Sequence, residues 1–448
     1  MPPDLQSTWV GYLLSTILGI MERVIGQTEL YIAMKRRNFF KVAALAVASP
    51  LVVPSTVFGQ AAPSERVTVG HIGVANQGGH LFRATQGVRL AQSVAVADCF
   101  KSRREGVAAA CQGKAYLDYR EIIARDDIDC VIIATPDHWH VPIGIAAAKA
   151  KKSAYIEKPL GLTIAQNIAC EKVFNDNGVF FQYGTQQRSQ QNCWIGCQLV
   201  KQGAIGKVHT IEVDAPDGGR GGSTAEAPIP DDLGKDGYEM WIGPAPMKPY
   251  TVDRCKPNGT YWIYDQSIGY LGGWGAHPLD IMVWGSDADM SGPIVVDGTG
   301  VIPTEGLYDC VYNWDMKIKL GDVNLIFKTG GDRTRFIGER GWIEVRRNGN
   351  SASDPALLQI APEMNDKTLV RSQNWNHYAN FIEGIKNKVA PVSTLRDAVR
   401  SDNISQLCDI AVRTKSTVKW DPIKMVLIGA TAAQTAMLDR PMRSPWTL

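Results

Sequence analysis

Apolar and polar positions between residues 130 and 160 follow the pattern of buried strands joined by a helix. The apolar run 131–134 ends at Thr135-Pro136, and the Ala-rich stretch 143–149 follows. A second run, 153–156, ends at Glu157-Lys158-Pro159. Short apolar runs of this kind are typical of parallel strands that are covered on both faces. The pattern predicts two neighbouring strands that end in polar residues.

The same alternation extends over residues 65–185 and predicts one domain. A strand begins at Arg66 and runs into a glycine turn. Further strands are predicted at 93–97, 114–119 and 179–183, with helices at 120–125 and 164–175. Strands that alternate with helices predict an α/β domain with a doubly wound parallel sheet.

Beyond residue 186 apolar and polar residues alternate with a period of two, which is typical of strands with one buried face. Strands are predicted at 206–214, 309–319, 324–329, 334–338 and 342–347. They predict an antiparallel meander with one solvated or partner-covered face, within a second domain at 186–370. The Gly/Pro-rich stretch 217–249 is expected to be a loop. In the tail, 371–448, helices predicted at 376–385 and 395–414 are expected to pack back on the first domain.

The first sixty residues resemble an export leader. Residues 34–60 contain Arg36-Arg37 with Phe39-Phe40, an apolar run, and small residues near Gly59. This order resembles a twin-arginine signal, and the apolar run is too short for a membrane span of ~20 residues. Residues 1–33 fit no signal, so we expect Met34 to be the true start. The expectation is a periplasmic or otherwise exported protein that uses the twin-arginine machinery and has no stable membrane span.

Charge and cysteine content exclude some classes of partner. The chain has 47 Lys and Arg against 45 Asp and Glu, and residues 1–60 supply the excess. A neutral body gives no electrostatic reason to expect nucleic acid as a partner. The nine cysteines are scattered, without a zinc spacing, and are expected to be free thiols with no metal.

The glycine turn after the first strand has the spacing of a dinucleotide-binding motif. Gly73-x-Ala75-x-x-Gly78 is a G-x-G/A-x-x-G variant. Gly73 permits the tight turn and Gly78 permits close helix packing. Asn76 and Gln77 would begin a helix whose free N–H groups bind phosphate.

Asp98 follows the second strand, 25 positions after Gly73. A carboxylate there can accept hydrogen bonds from both ribose hydroxyls of NAD. Lys101, Arg103 and Arg104 follow and could instead bind the 2′-phosphate of NADP. The carboxylate favours NAD, with NADP as the alternative.

Lys158 lies where a strand ends, and ligands bind at that edge of an open α/β sheet. Thr135, Pro136 and Glu157 are expected at the same edge and are assigned, with Lys158, to cofactor binding. Burial beside a positively charged nicotinamide would favour the neutral amine, which can act as a base. In its protonated form the same group could stabilise a developing alkoxide.

Several motifs resemble the family of glucose-fructose oxidoreductase, inositol dehydrogenase and MocA, the Gfo/Idh/MocA family. They are the glycine turn, Ala134-Thr-Pro-Asp-His-Trp-His140, Glu157-Lys-Pro159, Gln182-Tyr-Gly-Thr-Gln-Gln-Arg188, Trp274-Gly-Ala-His-Pro-Leu-Asp280 and Asp439-Arg-Pro-Met-Arg-Ser-Pro-Trp446. The resemblance implies a Rossmann domain plus an α+β domain with a large open, mostly antiparallel sheet that forms homodimers or homotetramers. It also implies an NAD(P)-dependent oxidoreductase that acts on carbohydrate CH–OH groups, with tightly bound cofactor.

The remaining candidate residues follow from the same motifs. His277, at a predicted helix entrance before Pro278, is the second catalytic candidate. His138 and His140 are expected near the nicotinamide ribose or in the turn. The candidate substrate-binding residues are Gln186, Arg188, Tyr264, Trp274 and Asp280.

One position departs from the family pattern. Relatives commonly have an aspartate four residues before the histidine, where this chain has Gly273. Asp265 or Asp280 could substitute. Three functions stay open: a dehydrogenase for a sugar or cyclic polyol, a redox-neutral glycoside-cleaving enzyme with tightly held NAD, and a nucleotide-binding sensor without turnover.

Overall fold

The computed structural model describes residues 65–256, 259–365 and 367–448 of the 448-residue chain. These residues belong to one unit of contacting chain, Phe58–Leu448. The predicted leader at 34–60 and residues 1–33 lie outside the described residues. The strands and helices below are numbered in chain order.

The first domain contains a six-stranded parallel sheet in the order β3-β2-β1-β4-β5-β6. Its strands are β1 Val67–Ile72, β2 Ala91–Ala97, β3 Lys114–Tyr116, β4 Cys130–Ile133, β5 Ser153–Ile156 and β6 Phe181–Tyr183. Its helices are α1 Asn76–Gln86, α2 Lys101–Ala110, α3 Tyr119–Ile123, α4 His140–Lys149 and α5 Ile164–Asn177. The predicted doubly wound parallel sheet is confirmed.

Helices cover this sheet on both faces. Val131 and Ile133 of β4 pack with Ile143 of α4 in one apolar cluster. Ile132, which points to the opposite face, packs with Phe381 of a C-terminal helix in another cluster. Because side chains alternate along a strand, a run in which every residue is apolar requires cover on both faces. This burial fixes where β4 and β5 end, and therefore where the polar residues after them lie.

The second domain contains a nine-stranded sheet in the order β13-β12-β11-β7-β10-β9-β8-β14-β15. Only the β7–β10 pair is parallel among the pairs of this sheet in the described residues. The strands are β7 Val208–Ala215, β8 Ile294–Val301, β9 Asn313–Leu320, β10 Val323–Thr329, β11 Arg333–Gly338, β12 Gly341–Val345, β13 Ser351–Ala352, β14 Val418–Asp421 and β15 Val426–Leu427. The predicted large, mostly antiparallel sheet is confirmed.

One face of this sheet carries the core of the second domain. Along β9, Trp314, Met316, Ile318 and Leu320 are buried, and the residues between them are exposed. The helices are α6 Gln191–Lys201, α7 Gly234–Ile242, α8 Tyr270–Gly273, α9 Ala276–Gly285, α10 His377–Asn387, α11 Leu395–Thr414 and α12 Ala432–Ala436. Short 3-10 helices occur at Asp137–Trp139, Gln186–Ser189, Thr260–Trp262, Ala288–Met290, Pro355–Gln359 and Gln373–Trp375.

The stretch 217–249, expected to be a loop, instead contains α7 and packs against the first domain. We call residues 230–256 the roof segment. Trp241 of the roof segment packs edge-to-face on Phe100, with ring centroids 5.7 Å apart. Asp232 accepts hydrogen bonds from the Ser102 backbone N–H at 2.7 Å and from its hydroxyl at 2.6 Å. The segment therefore joins the start of α2, next to Asp98.

The tail has the two predicted helices and two strands that were not predicted. α10 packs against α1 and β1 of the first domain. α11 lies against α5, α9 and β8. β14 and β15 extend the large sheet by pairing beyond β8.

Within the described residues, no helix combines the length and apolar character needed to cross a membrane. The same residues contain no cluster of three or more His, Cys, Asp or Glu side chains that could hold a metal ion. All nine cysteines are free thiols, and seven of them are buried.

Candidate functional site

The glycine turn leaves no room for side chains at its two outer glycines. Gly73 has φ +79°, and a Cβ there would lie 2.6 Å from the Ala134 carbonyl oxygen. A Cβ on Gly78 would lie 2.0 Å from the Gly73 carbonyl oxygen. Ala75, the N-cap residue of α1, provides no side-chain acceptor for the N–H groups of the first turn. The turn thus presents the start of a helix to its surroundings, as phosphate binding requires.

Asp98 lies directly after β2 and is 8% exposed. Its carboxylate accepts hydrogen bonds from the backbone N–H groups of Val74 and Phe100, both at 2.9 Å. Burial raises the pKa of this carboxyl group, against the effect of the two hydrogen bonds and of Arg103. The Arg104 guanidinium donates hydrogen bonds to the carbonyl oxygens of Asp98 and Cys99. A buried carboxylate at this point favours ribose hydroxyls over a second anion, and so favours NAD.

A cleft of about 880 Å³, part of which is open solvent, runs from the glycine turn to the ends of β2 and β4. Gly73, Asp98, Thr135 and Pro136 line it from the first domain. From the second domain it is lined by Met240, Trp241, Lys256, Thr260 and Tyr261. The Thr135 hydroxyl is buried and has no hydrogen-bond partner among the described residues. The cleft's size, its glycine turn and this unpaired hydroxyl fit a dinucleotide.

Glu157 connects the end of β5 to the glycine turn. It is 3% exposed, and its Oε1 accepts a hydrogen bond from Gln77 Nε2 at 2.9 Å. Burial raises the pKa of Glu157. Asn76, beside Gln77, is exposed on the rim and lines the cleft. Glu157 and Gln77 therefore hold the cleft wall in shape.

Lys158 is half-buried and follows Glu157 after the carboxyl end of β5. Its Nζ lies 5.9 Å from the centre of the Tyr261 ring, which is part of the cleft lining. After burial, the charge of Lys158 is the next largest cause that lowers the pKa of His277. Lys158 thus lies near one residue of the cleft lining, Tyr261, and its charge acts on His277.

His277, near the start of α9, is 4% exposed. Its Nδ1 is buried and has no hydrogen-bond partner among the described residues. Burial, followed by the charge of Lys158, holds the pKa of His277 well below its usual value. The imidazole is therefore neutral near pH 7, and its unpaired Nδ1 atom can donate or accept a hydrogen bond, according to the tautomer.

Four aromatic residues near Lys158 and His277 form what we call the aromatic platform: Tyr261, Trp262, Tyr270 and Trp274. The Trp262 and Tyr270 rings are 4.3 Å apart, and the Tyr270 and Trp274 rings are 5.6 Å apart. Trp274 lies 6.1 Å from His277, and its Nε1 lacks a partner among the described residues. Flat apolar rings that carry a free polar donor suit the faces and hydroxyls of a sugar ring.

A guanidinium group borders the platform, and an unpaired amide oxygen lies in the 3-10 helix after β6. The Arg347 guanidinium lies 5.4 Å from the Trp274 ring. Gln186 Oε1 is buried and unpaired within the described part of the chain. Among these residues the sequence predicted Trp274 and Gln186. It missed Tyr261, Trp262, Tyr270 and Arg347, although the aromatic density of residues 261–274 was a usable signal.

Arg188 and Asp280, predicted to bind substrate, bind each other. The Arg188 Nε and Nη2 atoms each donate to an Asp280 carboxylate oxygen at 2.6 Å, and both residues are 1% exposed. Arg188 Nη1 also contacts Asp397 at 2.8 Å. Burial disfavours the charged guanidinium, but the two carboxylates outweigh it and raise the pKa of Arg188. These three residues join the 3-10 helix Gln186–Ser189 to α9 and α11.

Tyr264 lies away from Lys158, between two guanidinium groups. The distances from its ring centre are 3.3 Å to Arg413 and 3.6 Å to Arg440. It lines a second cavity, of about 640 Å³, together with His138 and Asp265. Tyr264 is therefore not part of the aromatic platform.

His138 and His140 do not line the nucleotide cleft. The His138 Nε2 atom pairs with the Trp241 carbonyl oxygen at 3.0 Å. The His140 ring lies between the carbonyl oxygens of Pro159 and Thr135, at 2.6 and 2.9 Å. Burial lowers the pKa of both imidazoles to about 4. The two rings fix the turn after β4, which was the second expectation for them.

Gly273 leaves open space at the position where the family resemblance led us to expect an aspartate. A Cβ at this position would meet only the Tyr270 ring, at 3.8 Å, within the described residues. Asp265 lines the second cavity, and Asp280 is paired with Arg188. Neither of these carboxylates takes the place of the missing aspartate beside His277.

Curated relatives match part of this chain. An alpha-N-acetylgalactosaminidase of Shewanella oneidensis is 36% identical over 153 residues, 31% of this chain and 30% of that protein. A glycosyl hydrolase family 109 protein of Shewanella baltica is 34% identical over 190 residues, 36% of this chain and 38% of that protein. The chain thus spans about a third of the length of these curated relatives.

Solved structures share the fold at low identity. The WlbA dehydrogenase of Bordetella pertussis, in complex with NADH and UDP-GlcNAcA, has a TM-score of 0.59 at 14% identity, covering 79% of this chain and 98% of that one. The scyllo-inositol dehydrogenase of Lactobacillus casei has a TM-score of 0.55 at 16% identity, covering 79% and 98%.

Two family profiles match the chain in sequence. The profile described as "Oxidoreductase family, NAD-binding Rossmann fold" matches residues 67–185. The profile described as "Oxidoreductase family, C-terminal alpha/beta domain" matches residues 218–448, which is half of the chain. The chain therefore belongs to the Gfo/Idh/MocA family of oxidoreductases, and its first domain is the NAD-binding domain of that family.

Proposed function

We propose that this protein oxidises or reduces a CH–OH group of a sugar or cyclic polyol with NAD. The observation that carries the proposal is the position of Lys158, whose Nζ atom lies 5.9 Å from the centre of the Tyr261 ring in the cleft lining and whose charge acts on His277. Structural neighbours whose names include a nucleotide sugar and an inositol support this substrate class.

The proposed roles follow from the chemistry of each group. NAD, when bound, accepts the hydride from the substrate carbon. The Lys158 amine receives the proton of the reacting hydroxyl, and the ammonium form stabilises the alkoxide in the reverse direction. The neutral His277 ring accepts a hydrogen bond from a neighbouring hydroxyl. The aromatic platform holds one face of the ring, and Gln186 and Arg347 reach hydroxyls at its edge.

The test begins with the purified protein. Nucleotide released by denaturation is identified by mass spectrometry, and a panel of sugars and inositols is screened for absorbance from NADH. Lys158→Ala should lower kcat by about 10²- to 10⁴-fold, because general acid–base catalysis contributes that much. Lys172→Ala, on the exposed face of α5, is the matched control and should retain full activity. Full activity in Lys158→Ala would refute the role of Lys158.

A redox-neutral glycoside-cleaving activity is the second candidate. It is favoured by the relatives named as an alpha-N-acetylgalactosaminidase and a family 109 glycosyl hydrolase. The roof segment, which packs on Phe100 close to Asp98, would help to retain NAD between turnovers. Transient oxidation of a ring carbon would acidify the neighbouring C–H and allow elimination of the aglycone. Water addition and return of the hydride would then leave no net NADH.

The products separate the candidates. Stoichiometric NADH from a free sugar supports the dehydrogenase. Release of p-nitrophenol from an aryl glycoside, without net NADH, supports the glycoside-cleaving enzyme. Copurified nucleotide with neither product would support the third possibility, a sensor without turnover.

We also propose export in the folded state and assembly into a homodimer or homotetramer. Nine free thiols are compatible with a protein that folds before export and needs no disulfides. Replacing both Arg36 and Arg37 by Lys should retain the precursor in the cytoplasm of a twin-arginine-competent host. Light scattering of the purified protein would give its oligomeric state, and a monomer would refute the assembly.

A further inference from the structure

The end of the chain contacts both domains and the roof segment. We call residues 439–448 the tail strap, and they form neither helix nor strand. At its start, Arg440 donates a hydrogen bond to the Tyr264 carbonyl oxygen and stacks on the Tyr264 ring, 3.6 Å from the ring centre. At its end, Trp446 and Leu448 pack against the apolar cluster that contains β4 and α4. The tail strap therefore runs from the second domain to the first.

Between these two ends, Arg443 binds the roof segment where α7 ends. Its backbone N–H donates to the Pro244 carbonyl oxygen at 2.9 Å. Its Nε atom donates to the carbonyl oxygens of Gly243 and Ala245, at 3.0 and 3.2 Å. Its Nη1 atom lies 2.7 Å from the Glu239 carboxylate. A cation at the carboxyl end of a helix is favourable, because the last carbonyl groups there lack partners within the helix. Arg443 thus ties the tail strap to α7 at several points.

Trp446 packs on a residue that lines the nucleotide cleft. Its ring meets the Trp139 ring edge-to-face, with centroids 4.8 Å apart. Trp139 is part of the cleft lining, and its Nε1 atom donates to the Met240 carbonyl oxygen at 2.9 Å. Met240 belongs to α7 and also lines the cleft. The tail strap is therefore one packed ring away from the cleft, and two residues away from the wall that the roof segment provides.

The roof segment lies directly on Trp139. Gly243 has φ +50°, and a Cβ there would lie 2.0 Å from the Trp139 ring. The Gly243 carbonyl oxygen is the same one that accepts a hydrogen bond from Arg443. Trp139 is thus packed between the end of α7 and Trp446. The roof segment, Trp139 and the tail strap form one packed unit, and its inner face is a wall of the nucleotide cleft.

We propose that Arg443 and Trp446 are positioning residues for NAD, because they hold this wall in place before the nucleotide binds. The cleft is complete only while α7 lies against Trp139. Without the tail strap, a fraction of the nucleotide-free molecules would have an open wall, and the apparent affinity for NAD would fall by that fraction. A wall that is already formed spares NAD binding the cost of ordering it. The inference rests on the NAD-binding domain and goes beyond the proposed function, since it does not depend on the substrate.

The first test is the affinity of nucleotide-free protein for NAD, measured by calorimetry. Trp446→Ala should raise Kd about two- to tenfold, the range that the loss of one aromatic pair allows. Trp446→Phe keeps a ring against Trp139, and its Kd should stay within about twofold of the unaltered value. The matched control is Trp375→Ala, which removes a ring contact with Trp194 at 6.0 Å in the second domain and should leave Kd unchanged. An unchanged Kd in Trp446→Ala would overturn the inference and leave the proposed function standing.

The same titration tests the contact with α7. Arg443→Ala should raise Kd about tenfold, because hydrogen bonds from a charged donor are lost. Arg443→Lys keeps the charge but not the forked set of donors, so its Kd should lie between those of Arg443→Ala and the unaltered protein. Arg396→Ala, which breaks the ion pair of a partly exposed arginine with Glu171 at 3.2 Å, is the control and should bind NAD normally. Normal binding by Arg443→Ala would contradict the inference.

Hydrogen–deuterium exchange of the nucleotide-free protein separates an open wall from a general loss of stability. In Trp446→Ala, peptides from α7 should exchange several-fold faster than in the unaltered protein, and peptides from α6 should exchange equally in both. Saturating NAD should restore slow exchange in α7. Unchanged exchange in α7, or faster exchange in α6 as well, would overturn the inference. This measurement needs no sugar, so its outcome is independent of the proposed reaction.

Discussion

Replacing Asp280 by asparagine tests whether its pair with Arg188 supports the fold or binds substrate. The substitution keeps the shape of the side chain and removes its charge. Both partners are 1% exposed, so the guanidinium cannot recover hydration when it loses the carboxylate. Removal of one partner from a buried pair costs about 3–5 kcal/mol. We expect about 3 kcal/mol, because Asp397 remains at 2.8 Å and the Val392 carbonyl oxygen at 3.2 Å.

The assay is urea unfolding monitored by tryptophan fluorescence, together with the KM for the substrate that the sugar and inositol screen identifies. The matched control is Asp176→Asn, which breaks the exposed i,i+4 pair with Lys172 and should cost no more than about 0.5 kcal/mol. The KM of Asp280→Asn should stay within twofold of the unaltered protein. Unaltered unfolding together with a tenfold rise in KM would refute the structural role and restore the substrate role predicted from sequence.

Gly273→Ala should stabilise the protein by about 0.4–1 kcal/mol in urea unfolding, because the added Cβ would make only an ordinary van der Waals contact at 3.8 Å. Gly275→Ala should instead destabilise the protein, because its Cβ would lie 2.2 Å from a carbonyl oxygen. Gly78→Ala should weaken NAD binding at least about tenfold by calorimetry, since its Cβ would lie 2.0 Å from the glycine turn; unchanged affinity would contradict the role of the turn. Burial lowers the pKa of His71 to about 3, so the unfolded chain binds a proton below about pH 6.5 that the folded protein does not. The contribution of this group to the free energy of unfolding is therefore lost as the pH falls, by about 2 kcal/mol between pH 7 and 5. Over the same pH range His71→Gln should lose correspondingly less free energy of unfolding than the unaltered protein. Equal losses in the two proteins would show that His71 is protonated in the fold.

The parts of the fold that were predicted from sequence are those in which local pattern and tertiary burial agree. The strand 153–156 and the helix 395–414 have the predicted bounds, because their apolar spacing is the spacing that the core uses. The glycine turn is equally local, since Gly73 and Gly78 meet backbone within the same motif or the next strand. In these cases the residues that determine the local structure lie within a short stretch of sequence.

The roof segment shows where prediction from local sequence patterns fails. Its Gly- and Pro-rich composition indicated a loop, yet α7 forms because Tyr238, Trp241 and Ile242 are buried together against the first domain. Arg188 and Asp280 are 92 positions apart, and nothing local indicates that they pair. Trp446 was visible in its motif, but its contact with Trp139 exists only in the folded chain.

The nucleotide cleft has one wall from each domain, with Asp98 in one and Trp241 in the other. A ligand that contacts both walls holds the two domains together. At a ligand concentration of a hundred times Kd, binding would add about 2.7 kcal/mol to the free energy of unfolding of the protein. The protein without NAD would then open more often and would be cleaved faster by proteases. The NAD that is bound before export would in this way set the lifetime of the protein as well as its activity.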